Sequence, residues 1–152
     1  EEAPQPLMVV FNCCHEDESI ANEMHLKYTR RYSRSALDHY EFHNEGLADI
    51  KGYEYYGGLS KNINKHGIDS FVNFLADLQV RGTPDQVFEQ MRDYQEMTNA
   101  AGFINGFSFG GMPHELAKTS MRTFADKVMP RLKALYVGPA LGGGQPLTIA
   151  AE

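Results

Sequence analysis

Long apolar runs, cysteines in number and surplus positive charge are all scarce in this 152-residue chain. No apolar stretch approaches the ~20 residues that a membrane-spanning helix needs, and no basic, then apolar, then small-residue leader is present, so no membrane role is expected. The two cysteines, Cys13 and Cys14, are adjacent and make no disulfide framework, which points to a reducing, cytoplasmic setting. Fourteen Lys and Arg against 20 Asp and Glu give a net charge of −6, which argues against a dedicated nucleic-acid binder. There is no internal repeat and no initiator Met before Glu1. What is present, 42% hydrophobic and 22% charged residues, suits one soluble domain that buries roughly two-thirds of its unfolded surface.

Leu7 to Cys14 is a continuous apolar run of strand formers, the pattern of a strand covered on both faces in a parallel sheet. Acids and a cap, either Asp17 or Ser19, then open a long helix. Its expected buried stripe is Ile20, Met24, Tyr28, Tyr32, Ala36 and Tyr40, with Lys27, Arg30, Arg31 and Arg34 on a solvated or anion-facing side. Periodicity disappears from Phe42 to Ser60, where Gly46, Gly52, Gly57 and Gly58 punctuate Tyr53, Tyr55 and Tyr56. That segment reads as a lid or binding loop, or as a loop that its tyrosines fasten to the surface. Ile68 to Val80 reads as a helix with Phe71, Leu75 and Leu78 on one face. Thr83-Pro84-Asp85-Gln86 is a capping box with proline at the first helical position, and Gly102 is the expected terminator of that helix. Phe103 to Phe109 is a second strand, Gly110-Gly111-Met112-Pro113 a turn, and a last helix begins near His114 with a bend expected near Pro130. Residues 136–152 read as a flexible tail rich in Gly and Pro, beyond a domain of residues 1–135.

Strand, helix, long loop, helices, strand, helix is the order of an α/β chain with parallel strands. Two parallel strands alone leave both sheet edges open, so the chain is expected to be the end of a larger α/β domain. A complete (β/α)8 barrel takes about 250 residues.

Gly82-Thr83-Pro84-Asp85-Gln86-Val87, the aromatic strand to Gly110-Gly111-Met112-Pro113-His114-Glu115, and Phe124-Ala125-Asp126-Lys127-Val128-Met129-Pro130-Arg131-Leu132 together resemble the C-terminal part of the bacterial luciferase-like, flavin-dependent monooxygenases. The first strand ending in acids fits that family too, as does the insertion from Asp38-His39-Tyr40-Glu41-Phe42 to Lys51-Gly52-Tyr53-Glu54-Tyr55-Tyr56. The resemblance covers residues 7–135 and implies the C-terminal portion of a (β/α)8 TIM barrel, its two strands being the seventh and eighth. It implies an oxidoreductase in which reduced FMN, supplied by a flavin reductase, reacts with dioxygen to oxidise a small-molecule substrate. Some relatives use a deazaflavin and transfer hydride instead.

Barrel sites lie at the C-terminal ends of the strands. On the resemblance, Phe109, Gly110, Gly111 and Met112 would contact the flavin, the glycines by close backbone approach and the side chains as an apolar wall. His114, near a helix N-terminus, together with Tyr53, Tyr55, Tyr56 and Arg81, would contact substrate. The plain alternative is that the glycines only make the turn and His114 is solvated. Met112 stands where alkanesulfonate-oxidising relatives carry Tyr, which disfavours that substrate class. Cys13, Cys14 and His15 are ligand types for zinc, but neighbouring strand residues face opposite ways, so no metal site is expected. Other flavin contacts would come from the rest of the barrel, so this chain alone is expected to bind FMN weakly or not at all and to be inactive. Homo-oligomerisation is left open. The competing readings are a non-catalytic scaffold or partner chain and a free-standing α+β binding module.

Overall fold

The computed structural model describes residues 5–135; the expected tail at 136–152 lies outside them. In chain order the elements are β1 (Leu7–Cys14), α1 (Glu18–Met24), a π-helical turn (His25–Thr29), α2 (Arg30–His39), a 3-10 turn (Glu45–Asp49), α3 (Glu54–His66), α4 (Ile68–Asp77), β2 (Val80–Gly82), α5 (Pro84–Thr98), β3 (Gly102–Gly106), α6 (His114–Lys127) and α7 (Met129–Leu135).

The sheet has three parallel strands among the described residues, not the two expected, in the order β2-β1-β3. The two expected strands pair directly, Leu7 opposite Gly102 through Phe11 opposite Gly106. The extra strand was hidden at the end of the helix expected over Ile68–Val80. That helix stops at Asp77, and Val80–Gly82 then pairs with Asn12–Cys14 on the other side of β1. Three residues are too few to show a period of two. Just before β2, the Gln79 side chain takes the place of a strand: its Oε1 accepts from the Phe11 N–H at 2.9 Å. Successive barrel staves would run 1-2-3, so β2 lies on the far side of β1 rather than between β1 and β3.

Alternate β1 residues face two different layers. Val10 and Cys14 pack with Val80, Val87, Met91, Phe124 and Val128, the core under α5, α6 and α7. Cys13 packs on the opposite face with Met24, Tyr28, Phe109, Met112 and Ala117. Burial pushes the two thiols up, Cys13 to about 11 and Cys14 to about 12, so both stay protonated at neutral pH. A buried hydroxyl locks α6 onto the central strand: Ser120 Oγ accepts from the Cys14 N–H at 2.9 Å. The expectation of burial on both faces fails in the first half of β1, where Leu7 and Val9 are 59% and 62% exposed, as is Ile104 (53%) opposite Val9.

Asp17, not Ser19, caps α1, its carboxylate accepting from the Ser19 and Ile20 amides. The stripe expected on the long helix is also displaced. Tyr32 and Tyr40 are exposed, while Ala21, His25, Thr29, Ser33 and Leu37 form an unbroken buried row four apart. A straight α-helix drifts away from a period of four; the wider π turn absorbs the drift and keeps the row buried, from the sheet at Ala21 to the small helical core at Leu37.

The segment from Phe42 to Ser60 is not a loop. It holds the 3-10 turn and the first half of α3, with Tyr53 at the N-cap and Tyr55 and Tyr56 in the first turn. Gly57 is what allows this: a Cβ there would collide with Ala48 of the 3-10 turn, so helix propensity is given up for close approach. With α4 and the end of α2 these elements enclose a small core of Leu37, Ile63 and Val72.

The Thr83 capping box and the Pro84 start of α5 are as expected. Asn99, in the left-handed region at φ 51°, ends α5, and Gly102 opens β3 instead. The second strand stops at Gly106, three residues short of Phe109. The bend expected near Pro130 is a break at Val128 between α6 and α7.

Candidate functional site

The C-terminal ends of the three strands meet the π turn, and two arrangements there carry polar or strained groups. The first is built on β2. Arg81 Nη1 lies 3.2 Å from His25 Nε2 and 3.2 Å from Asp77 Oδ1, joining β2, the π turn and the end of α4. His25 is 3% exposed and Asp77 is open to solvent. Burial lowers the His25 pKa below its usual 6.5, the neighbouring Arg81 charge lowers it further, and Asp77 only partly opposes them. The imidazole is therefore neutral near pH 7. Arg81, which has only donors, fixes Nε2 as an acceptor and leaves the proton on Nδ1. The 3.4 Å approach of His25 to Asp77 is then not an ion pair; the ion pair is Arg81 with Asp77. His25 Nδ1 is buried without a partner among the described residues.

The second arrangement is the turn after β3. The Met112 N–H donates to the Phe109 carbonyl at 3.0 Å, and Gly110 and Gly111 both have positive φ, 59° and 75°. A Cβ at Gly110 would collide with the Tyr28 carbonyl oxygen, so this glycine is demanded by contact with the π turn as well as by backbone conformation. At Gly111 the neighbour is the Arg31 guanidinium, 3.2 Å from the Cβ position.

Phe109 and Met112 are buried. Each is 7% exposed and packs on Cys13, Met24, Tyr28 and Ala117. Phe109 also meets Phe11, ring centroids 5.0 Å apart, and Phe11 meets Tyr32 at 4.2 Å. His114 is exposed at the first position of α6. The tyrosines are gathered elsewhere: Tyr53 and Tyr55 pack on Tyr56, which stacks on Phe42 at 5.8 Å and 5°. Phe42 in turn belongs to the small helical core, whereas Phe109 and Met112 belong to the core above the sheet. The five proposed substrate contacts are therefore dispersed over α3, β2 and α6.

Sequence reading missed His25, Thr29 and Ser33. All three lie on the same four-residue row as Ala21 and Leu37; tracking apolar residues alone passed over them. Asn12, at the C-terminal end of the first strand where barrel sites are expected, is fully buried, donates to Asn105 Oδ1 at 3.0 Å and has an unpartnered Oδ1 among the described residues.

The sequence profile of the luciferase-like monooxygenases matches residues 2–100. The chain belongs to that family. A search of curated proteins found no match. The matched stretch of this luciferase-like chain takes in β1, the helical insertion, β2 and α5; β3, the Gly110–Gly111 turn and α6 lie beyond it. Luciferase-like proteins are generally flavin-dependent. Phe109 and Met112, the expected flavin wall, pack with Cys13, Met24, Tyr28 and Ala117 beside the Gly110–Gly111 turn. Among the described residues no helix is long and apolar enough to cross a membrane.

Proposed function

We propose that this chain is the closing segment of a flavin-dependent monooxygenase that uses reduced FMN, delivered by a reductase, and dioxygen to oxidise a small organic substrate. The observation that carries the reading is the family match over residues 2–100. The sheet supports a larger barrel: Leu7, Val9 and Ile104 present an apolar strip on paired strands, and β3 has no second neighbour among the described residues. In a barrel, β1 and β3 are adjacent staves, further strands cover that strip, and β2 is a short accessory strand. The flavin contacts then come mainly from the rest of the barrel.

One observation favours a second reading. Phe109 and Met112 pack into the core with Cys13, Met24, Tyr28 and Ala117, an arrangement that also suits a luciferase-like scaffold or partner chain with no chemistry of its own.

The separating experiment takes the 152-residue chain, and any longer reading frame that contains it, with a flavin reductase and NAD(P)H. Substrate-dependent oxygen consumption and an oxygenated product from an aldehyde or ketone panel support the monooxygenase. A protein that holds flavin yet yields no oxygenated product would exclude monooxygenation in favour of hydride transfer. One that neither holds flavin nor reacts, in any reading frame, would leave the scaffold.

A further inference from the structure

The guanidinium of Arg81 is only half used. Nη1 donates to His25 and Asp77, but among the described residues nothing accepts from Nε or Nη2. Neither nitrogen is among the buried unpartnered atoms, and the side chain is 34% exposed, so this edge reaches solvent. The free Nε–Nη2 edge is a planar pair of parallel N–H donors, the shape that a carboxylate accepts in bidentate fashion. The guanidinium cannot swing freely, because a buried imidazole and the Asp77 carboxylate hold Nη1 from two elements while Gln90 holds the Arg81 backbone N–H and carbonyl.

Local charge agrees. Four groups face one another here: Arg81 from β2, Asp77 from α4, and His25 and Arg30 from the π turn and the start of α2. With His25 neutral they sum to +1 on a chain of net charge −6. Arg30 makes no ion pair among the described residues, and its Nε is buried without a partner. Asp77 is already engaged with Nη1.

We propose that Arg81 is a carboxylate-binding residue of this chain, with His25 as the positioning residue that turns its Nε–Nη2 edge outward. Calling the bound carboxylate part of the substrate rests on the monooxygenase reading above; the anion site itself does not.

The test is an NMR titration of the full chain with sodium acetate at constant ionic strength, following the Arg81 Nε–H signal where the residue is present and the backbone amides of Val80–Gly82 in the parent and every variant. A saturable shift is expected, lost in Arg81→Gln and weakened about tenfold in Arg81→Lys, which keeps the charge but not the fork. His25→Gln, which retains an acceptor, should bind within about threefold of the parent, and His25→Leu about tenfold more weakly. Circular dichroism identifies any variant that has not folded; Arg81→Lys keeps the proposal testable if Arg81→Gln is one. A linear, non-saturating response, or equal binding by Arg81→Lys and the parent, overturns the site. Equal binding by His25→Leu and the parent overturns the positioning role. Saturation by inorganic phosphate with acetate inert overturns the carboxylate assignment. Because no flavin takes part, failure here leaves the oxygen-consumption experiment untouched, and the converse also holds.

Discussion

The sheet and the helical insertion are built to different standards. Around β1 the core contains Val10, Val80, Val87, Met91 and Val128, each at most 1% exposed and drawn from strands and helices far apart in sequence. The insertion encloses only Leu37, Ile63 and Val72, and leaves Tyr40, Tyr53, Tyr55 and Phe74 between 49% and 80% exposed. Its aromatic rings run from Tyr53 and Tyr55 through Tyr56, which stacks on Phe42, at the margin of that small core. A region with so few fully buried side chains opens more readily than one with many. The two regions are therefore expected to exchange amide protons as separate units, the insertion first.

Four measurements would break or sharpen this contrast. Met91→Ala empties the centre of the sheet core and should cost about 3 kcal/mol in urea unfolding, lowering exchange protection across β1, β2, α5 and α6 while the insertion keeps its own rates. If its effect stayed confined to α5, the single sheet core would be wrong. Gly57→Ala forces the 3-10 turn off α3 and should cost about 2 kcal/mol locally, raising exchange rates in Glu45–Asp49 and α3 while β1 amides remain as slow as before. A matching loss in β1 would mean that the regions unfold together. Thr83→Ala removes half of the capping box at the start of α5, beside β2, and should cost about 1 kcal/mol, read as a shifted urea midpoint with an unchanged slope.

The smallest effect concerns the seam itself. The His25 pKa is lower folded than its usual 6.5, so below that value the unfolded chain binds the proton more readily. The stability that neutral His25 contributes is complete above about pH 6.5 and is lost as pH falls from there through the folded value. The urea midpoint should fall between pH 7.5 and pH 5.5 more steeply for the parent than for His25→Gln. Identical slopes would remove His25 from the account.

The legible parts of the fold were those dictated by neighbours in sequence. The Thr83–Gln86 box, the proline start of α5, the helix start at His114 and the run Leu7–Cys14 each depend on contacts within a turn or on one element's pattern. The family resemblance was legible as well, and the match bears it out over residues 2–100. At the candidate site much less could be read. Phe109 and Met112 look alike in sequence whether they wall a ligand or fill a core, and their packing on Cys13, Met24 and Tyr28 is visible only in the tertiary structure. The helix over Tyr55 and Tyr56 was hidden because Gly57 and Gly58 signal a loop by propensity, while the demand for a glycine comes from Ala48, nine residues upstream.

Sequence alone determined a parallel α/β chain with the capping box of α5 and its two principal strands, because hydrophobic periodicity and capping act over a few residues; the family followed from the order and spacing of its motifs. Tertiary structure alone decided that Val80–Gly82 joins β1 as a third strand, that a π turn keeps His25 buried, and that His25 and Asp77 share one nitrogen of Arg81. The strand pairing and the meeting of His25 with Arg81 depend on which residues more than 50 positions apart come into contact, and no local pattern encodes that distance.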